Sequence, residues 1–323
     1  MNEELRPYEH QVVTTNFILN TPRCLITSDP GTGKTRAVLD SFVQRGGKML
    51  VLAPLSILEP AWADDIIKFQ PNINYGIAYA KNREKIFSDS SYEMVITNFE
   101  AVNFLVNNQK LLQDFDTICI DEFTAFKNRT AKRSKALTKI IHNFDYRIAM
   151  SGTPNSNTIL DIWHPTLVID DGQRLGKRFF SFRHQVCTPK FNGFANEWID
   201  KPDAEEAVAN VLKDITIRHA LEDCIDIPEN VVRTMYTNLS PTVRKNYETL
   251  AEESVLYTQQ GTINAVNAGA RVKKLLQLLT GAIYDQEGNV LKVHDERYEL
   301  IMDLVEVRKH SLVAFNWKHE RDQ

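Results

Sequence analysis

The sequence predicts an α/β protein built on a parallel sheet, with its functional loops gathered along one sheet edge. Three observations carry this. Short apolar runs alternate with longer stretches of helical periodicity through the first half, as in strands covered on both faces by helices. The run Arg23 to Ser28 leads through a Gly-rich turn into a helical pattern ending near Val43. Each chemically distinctive segment follows an apolar run, at the strand end where such sheets collect ligands.

The remaining expected strands follow in order. Met49–Ala53 (MLVLA) is the second and Ile73–Ala80 a weaker third, and Met94–Thr97, Thr117–Asp121 and Arg147–Ser151 complete the set. Near Trp163 the pattern changes. From Gly176 to Ile283 the periodicity is mostly helical, with helices expected over 205–212, 241–257 and 271–279. A helix over 298–307 and a strand over Ser311–Phe315 (SLVAF) are expected near the end. With 323 residues the chain can hold more than one core, since domains usually take about 100–200.

Net charge is −4 and the sequence pI about 6.1. That excludes nucleic-acid binding by bulk charge alone, so any such site must be a local track of amides, hydroxyls and a few cations. Cys24, Cys119, Cys187 and Cys224 are dispersed, which points away from a zinc site or a disulfide framework and towards a reducing, cytoplasmic setting. No apolar run reaches the ~20 residues of a membrane span, and the polar start is no signal peptide.

The strongest chemical signal is Ser28-Asp29-Pro30-Gly31-Thr32-Gly33-Lys34-Thr35. Two glycines let the backbone curl so that its amides point at phosphate oxygens, and the following helix N-terminus favours an anion. Lys34 would reach the β- and γ-phosphates of ATP, and the Thr35 hydroxyl would bind Mg²⁺. The second signal is Asp121-Glu122 at the end of TICID. Asp121 would hold Mg²⁺ through its water shell, and Glu122 would orient or deprotonate the attacking water. Gln11 is softer. Its carboxamide could pair with adenine N6 and N7, or it is a solvated helix residue. Ser151-Gly152-Thr153 could relay contacts from the γ-phosphate to a neighbouring surface, or form a plain turn. The basic stretch Lys127 to Lys139 reads equally as a nucleic-acid contact or a solvated face, whereas the segment Gly176–Arg183 (GKRFFSFR), which could touch DNA by stacking, reads better as a packed helical protrusion.

Taken in order, these segments resemble the Swi/Snf-like branch of superfamily-two helicases and translocases, above all the compact bacteriophage forms. LRPYEHQ resembles the Q motif, SDPGTGKT motif I, VLAPLSILEPAW motif Ia, VITNFEAV the next motif, IDEFTAFKN motif II and AMSGTPNSN motif III. DITIRHALEDCIDIPENVVRTMYTNLSPTVRKNYETL resembles the branch's crossing segment, and LVAFNWKHE its motif IV. The resemblance implies a RecA-like lobe over 1–165, a mainly helical protrusion and inter-lobe region over 166–285, and the start of a second RecA-like lobe over 286–323. It implies an ATP-dependent DNA motor on duplex or branched DNA, largely sequence-independent. Asp29, Pro30, Gly31, Thr32, Gly33, Lys34, Thr35 and Gln11 would bind ATP. Pro54, Leu55, Thr97, Asn98 and Lys127 would touch DNA phosphates. A phage origin would place the protein in the host bacterial cytoplasm. Two departures stand out. Motif II reads DEFT, which changes the coupling expected at Thr124. Motifs V and VI have no counterpart here, so the arginine finger is missing and ATP binding with poor hydrolysis is expected, as in a nucleotide-gated DNA-binding module.

Overall fold

A computed structural model describes residues 6–154, 157–191, 193, 196–226, 231–253, 255–258, 261–264, 267–285 and 287–322. Contacts divide the chain into two units, Met1–Pro228 and Glu229–Gln323. The division falls inside the segment expected to run from 166 to 285, because residues 163–221 fold back onto the first unit.

The first unit holds one parallel sheet. Its strands are β1 (Arg23–Ile26), β2 (Met49–Ala53), β3 (Tyr75–Ala78), β4 (Met94–Asn98), β5 (Thr117–Asp121), β6 (Tyr146–Met150) and β9 (Thr216–Ile217), in the spatial order β3-β4-β2-β5-β6-β1-β9. All six pairings are parallel. Residues alternate between two cores, as a pleat covered on both faces requires. Leu25, Leu50, Leu52, Ile118 and Ile120 face one cluster, while Cys24, Ile26, Met49, Val51 and Cys119 face the other. Helices α1 (Glu9–Asn20), α2 (Lys34–Arg45), α3 (Asp64–Phe69), α4 (Arg83–Ser88), α5 (Ala101–Asn107), α6 (Lys132–Ile140) and α7 (Trp163–Asp170) supply the covering layers.

The segment expected to be helical departs most from its sequence pattern. After α8 (Phe179–Val186) comes an antiparallel hairpin, β7 (Cys187–Phe191) with β8 (Asn196–Asp200), then α9 (Ala204–Leu212). The chain next adds β9 beside β1, a two-residue strand too short to leave a periodic signal, and α10 (Leu221–Cys224). In the second unit, α11 (Pro241–Glu253) and α12 (Ala268–Leu279) match expectation, although strand β10 (Val255–Thr258) pairs with β11 (Gly261–Asn264) where the first helix was expected to continue. Strands β12 (Ala282–Tyr284) and β13 (Val290–Lys292) form a hairpin, followed by α13 (Glu296–Glu306) and α14 (Lys318–Asp322). Val243, Leu250, Leu278, Ile283 and Leu291 form this unit's small core. Ser311–Phe315 is not a strand. Its apolar pattern finds no ladder partner among the described residues, and Leu312 is 100% exposed.

An ionic knot closes the sheet edge opposite the strand ends. Arg147, 2% exposed, donates to the Phe144 and Val168 carbonyls and pairs with Asp171 at 2.8 Å, while Arg23 reaches the same carboxylate at 2.6 Å. Burial pushes the Asp171 carboxyl up, but hydrogen bonding and charge from Arg147, with the charge of Arg23, outweigh it and hold it below the ordinary 3.8. A depressed folded value stabilises fully above the unfolded value and is lost as pH falls through the folded one. Asp171→Asn should therefore cost about 2 kcal/mol in urea unfolding at neutral pH, and the gap from wild type should close as the titration passes below the unfolded value near 3.8. A gap independent of pH would show that the knot is not ionic.

Candidate nucleotide and metal site

Three loops meet at the carboxyl ends of β1, β6 and β5. Ile26 and Asp121 both register with Met150, so the loops leave from one rung of the sheet. The turn after β1 runs through Gly31 (φ +86°) and Gly33 (φ +75°), left-handed positions that suit glycine, and Gly33 opens α2. Lys34 folds back over the turn, donating from Nζ to the carbonyls of Ser28 (2.9 Å) and Asp29 (3.0 Å). Burial lowers its pKa, against the charges of Asp121, Glu122 and Asp29, which raise it.

Asp121 ends β5. Burial is the main cause raising its pKa; the hydrogen bond from Trp62 and the charge of Lys34 lower it, while Glu122 raises it. Trp62 itself is 0% exposed and sits in a π-helical turn over Leu58–Ala63, its indole N–H reaching Asp121 Oδ2 at 2.9 Å. Glu122 holds a left-handed backbone (φ +59°). Its Oε1 accepts from Ser151 Oγ (2.6 Å) and from Thr124 Oγ1 (2.5 Å). The hydroxyl at the departing motif II position is thus spent on the neighbouring carboxylate. Gly152 packs so close that a Cβ there would meet the Pro30 ring at 2.7 Å, and Thr153 N–H donates to Ser151 Oγ. The structure therefore brings Asp29–Thr35, Asp121, Glu122 and Ser151–Thr153 together.

Two expected nucleotide contacts are otherwise engaged. Gln11, 8% exposed, accepts the Tyr8 N–H at Oε1 and donates from Nε2 to the Thr32 carbonyl, which also receives His10 Nε2 at 2.8 Å. A Cβ at Gly33 would lie 2.2 Å from that amide. The carboxamide braces the turn instead of presenting a free edge to adenine. Asp29 is engaged as well. Its N–H donates to the His219 carbonyl, its Oδ2 accepts the Leu221 N–H, and Ser28 Oγ accepts the His219 N–H. Residues 218–221 thus strap the turn from outside.

The residues fit a Mg²⁺–ATP group on their own chemistry. Left-handed glycines and a helix N-terminus make a nest for phosphate, an ammonium lies over it, and a half-buried carboxylate on β5 and a hydroxyl in the first turn of α2 are hard oxygen donors. Gly31, Thr32, Gly33 and Lys34 would hold phosphate, and Thr35 and Asp121 the metal.

The expected DNA positions divide. Pro54, Leu55 and Asn98 line one cleft of about 520 Å³ together with Tyr79 and Arg83. Arg83 donates to Asn98 Oδ1 at 2.6 Å, a cation that no motif pointed to. Thr97 cannot touch a bound strand, because it is 0% exposed and its hydroxyl donates to the Ala78 carbonyl across the sheet. Lys127 is ion-paired with Asp161 at 2.8 Å.

A family model described as the SNF2-related domain matches residues 8–286. "Putative protein p41" of Acyrthosiphon pisum secondary endosymbiont phage 1 is 28% identical, aligning 98% of this chain with 73% of its own. An "Uncharacterized ATP-dependent helicase" of Mycoplasma pneumoniae is 26% identical over 69% of this chain and 21% of its own, and "Putative ATP-dependent helicase/translocase YwqA" of Bacillus subtilis 23% identical over 77% and 27%. The solved "Sulfolobus solfataricus SWI2/SNF2 ATPase core in complex with dsDNA" superposes with a TM-score of 0.56 at 20% identity, covering 93% of this chain and 64% of that one. That likeness shows a shared fold, a parallel sheet covered by helices in the RecA-like manner. The chain spans about a quarter of the two bacterial helicases and under two thirds of the archaeal core.

The Trp62–Asp121 bond supplies a test. Trp62→Phe keeps an aromatic ring in place and removes the N–H, so Mg²⁺-dependent affinity for a fluorescent ATP analogue should fall about tenfold, as when outer partners of metal ligands are lost. Unchanged affinity would mean that the bond does not set the carboxylate.

Proposed function

The chain belongs to the SNF2-related domain family, and from that premise we propose that it is an ATP-driven motor on DNA, moving along duplex or branched DNA with little regard to sequence. The observation that carries the reading is the convergence of a phosphate-binding turn, an Asp-Glu pair and a hydroxyl-bearing turn on one rung of the sheet. The name of the archaeal relative, bound to dsDNA, supports duplex DNA as the partner, and the bacterial relatives' names support ATP-dependent action. The phage relative supports a place in the bacterial cytoplasm.

The residues divide the work. The amides of Gly31 to Lys34 receive phosphate oxygens, and the Lys34 ammonium neutralises charge as it shifts towards the leaving oxygen. Bound through Thr35 and Asp121, magnesium would supply Lewis-acid polarisation of the phosphate. Glu122 orients the attacking water and takes its proton. With Oε1 held by two hydroxyls, Oε2 is the oxygen left for that task. Ser151 lies one strand over, so a change in its turn moves the base directly, and this is how Ser151, Gly152 and Thr153 would couple hydrolysis to movement. Pro54, Leu55, Asn98 and Arg83 form the cleft that would take the DNA backbone.

ATP hydrolysis should be measured with this chain alone and with duplex, branched and single-stranded DNA. DNA should stimulate turnover, and Lys34→Ala should lower it by about 10²-fold or more. Mg²⁺-dependent ATP binding with no turnover on any DNA would replace the motor by a nucleotide-gated DNA-binding module. DNA-independent transfer to a small acceptor would sink both.

Thr124 gives a finer check. Thr124→Val should lower turnover about tenfold, the cost of a hydrogen bond to a charged group, with nucleotide affinity unchanged, and Thr124→Ser should restore it. Equal loss in the Ser and Val variants would make the residue a packing position only.

A further inference from the structure

Residues 127–139 carry six cations and residues 176–191 four, and neither segment contains a carboxylate, in a chain whose net charge is −4. The two are far apart in sequence, and the fold joins them. The Arg129 guanidinium lies 4.7 Å from the Phe179 ring centroid and 5.2 Å from that of Phe180. From α8, Arg183 lies 5.0 Å from the Phe180 centroid and 3.8 Å from that of Trp198 on β8. Two guanidiniums are therefore held over aromatic rings, with Phe180 common to both. Neither has a carboxylate within ion-pair distance among the described residues, whereas eleven other arginines and lysines pair with Asp or Glu.

The acidic groups nearby are committed or offset. Asp161 is taken by Lys127. Asp200 accepts the Thr158 hydroxyl and the Ile159 N–H. Glu197 stands opposite Lys190 in the β7–β8 register. Around the rings the surface is open: Phe180 is 56% and Phe191 68% exposed, and Lys177 and Arg178 are exposed. The core links this face to the cleft assigned to DNA, since buried Phe126, three residues before Arg129, packs edge-on against Phe99 of that cleft.

We propose that this face, built from Arg129, Lys177, Arg178, Phe180 and Arg183, is a second docking surface for the DNA backbone, extending the track from the Asn98 cleft across α8. It rests on the DNA reading above. Planar guanidiniums held by stacking meet phosphate oxygens without first losing rotamer freedom, and they have no carboxylate to release. A polyanion is the partner that such a concentration of cations on an acidic chain fits best.

The test is fluorescence anisotropy of the full chain with a labelled duplex and a matched branched DNA over a series of salt concentrations. Arg129→Gln/Arg183→Gln should weaken binding about tenfold and flatten the log–log salt slope by about two. The pair Arg129→Lys/Arg183→Lys should keep the slope and recover part of the affinity, because an ammonium carries the charge without the guanidinium's planar contact surface. Lys177→Glu/Arg178→Glu reads the same surface at exposed positions that leave the stacked rings in place, and should weaken binding in the same direction. If wild type binds and both charge-removing pairs match it in affinity and slope, the proposal is overturned and an acidic protein becomes the fitting partner. If wild type binds no DNA at any salt, the DNA reading fails, and this proposal with it.

Discussion

The site depends on β5, β6 and β1 lying side by side in one parallel sheet. Parallel neighbours end at the same edge, spaced about 4.8 Å apart, so residues far apart in the chain leave the sheet as neighbours. Asp121, Met150 and Ile26 form one rung. One step further on stand Glu122 and Ser151, whose side chains are joined by a 2.6 Å hydrogen bond, and the phosphate-binding turn. An antiparallel arrangement would send alternate loops to opposite edges and scatter the same residues. The buried alternation of the strands is what fixes the register, because a one-residue slip would turn each apolar side chain onto the wrong face.

Within that frame the charges are arranged to be costly singly and acceptable together. Burial raises Asp121 and lowers Lys34, each shift favouring the neutral form. Each group's opposite charge works against its own shift, and Trp62 adds a donor to Asp121. A site built this way gains most from a ligand that brings both signs, an anionic phosphate chain with a divalent cation. Glu122 is managed differently. Two hydroxyls fix one of its oxygens without supplying a charge, which would hold a general base in one orientation.

The sheet was largely legible from the sequence because buried parallel strands are continuous apolar runs. Thr117–Asp121 and Met49–Ala53 were placed to the residue, and the turn from Ser28 to Thr35 announced its own geometry through glycine spacing. What stayed hidden depends on tertiary partners. β9 is two residues long and exists because β1 has a free edge beside it. SLVAF carries a strand's composition and lacks a neighbour to pair with. Thr97 and Asn98 are adjacent, and only the fold shows that one hydroxyl is spent inside the sheet while the other residue lines a cleft. Nothing in the sequence around Trp62 reveals that its N–H finds Asp121 59 residues away.

The phosphate-binding turn shows the same limit most sharply. It is braced on one side by residues that precede it, Gln11 and His10, both bonded to the Thr32 carbonyl. On the other side it is strapped by a segment 191 residues downstream, where the His219 N–H reaches Ser28 Oγ. Short-range pattern can suggest the first brace, since α1 and the turn flank β1. It cannot suggest the second, because the stretch 218–221, part of the crossing segment, carries no phosphate-binding pattern and reaches the turn only once β9 docks beside β1. The carboxylate of Asp29 belongs to this strap. Facing phosphate it would repel, whereas bonded to the Leu221 N–H it locks the outer wall of the turn. The shape of the nest is therefore set jointly by two distant pieces of chain, and a displacement of either one would reshape the amides proposed to meet phosphate.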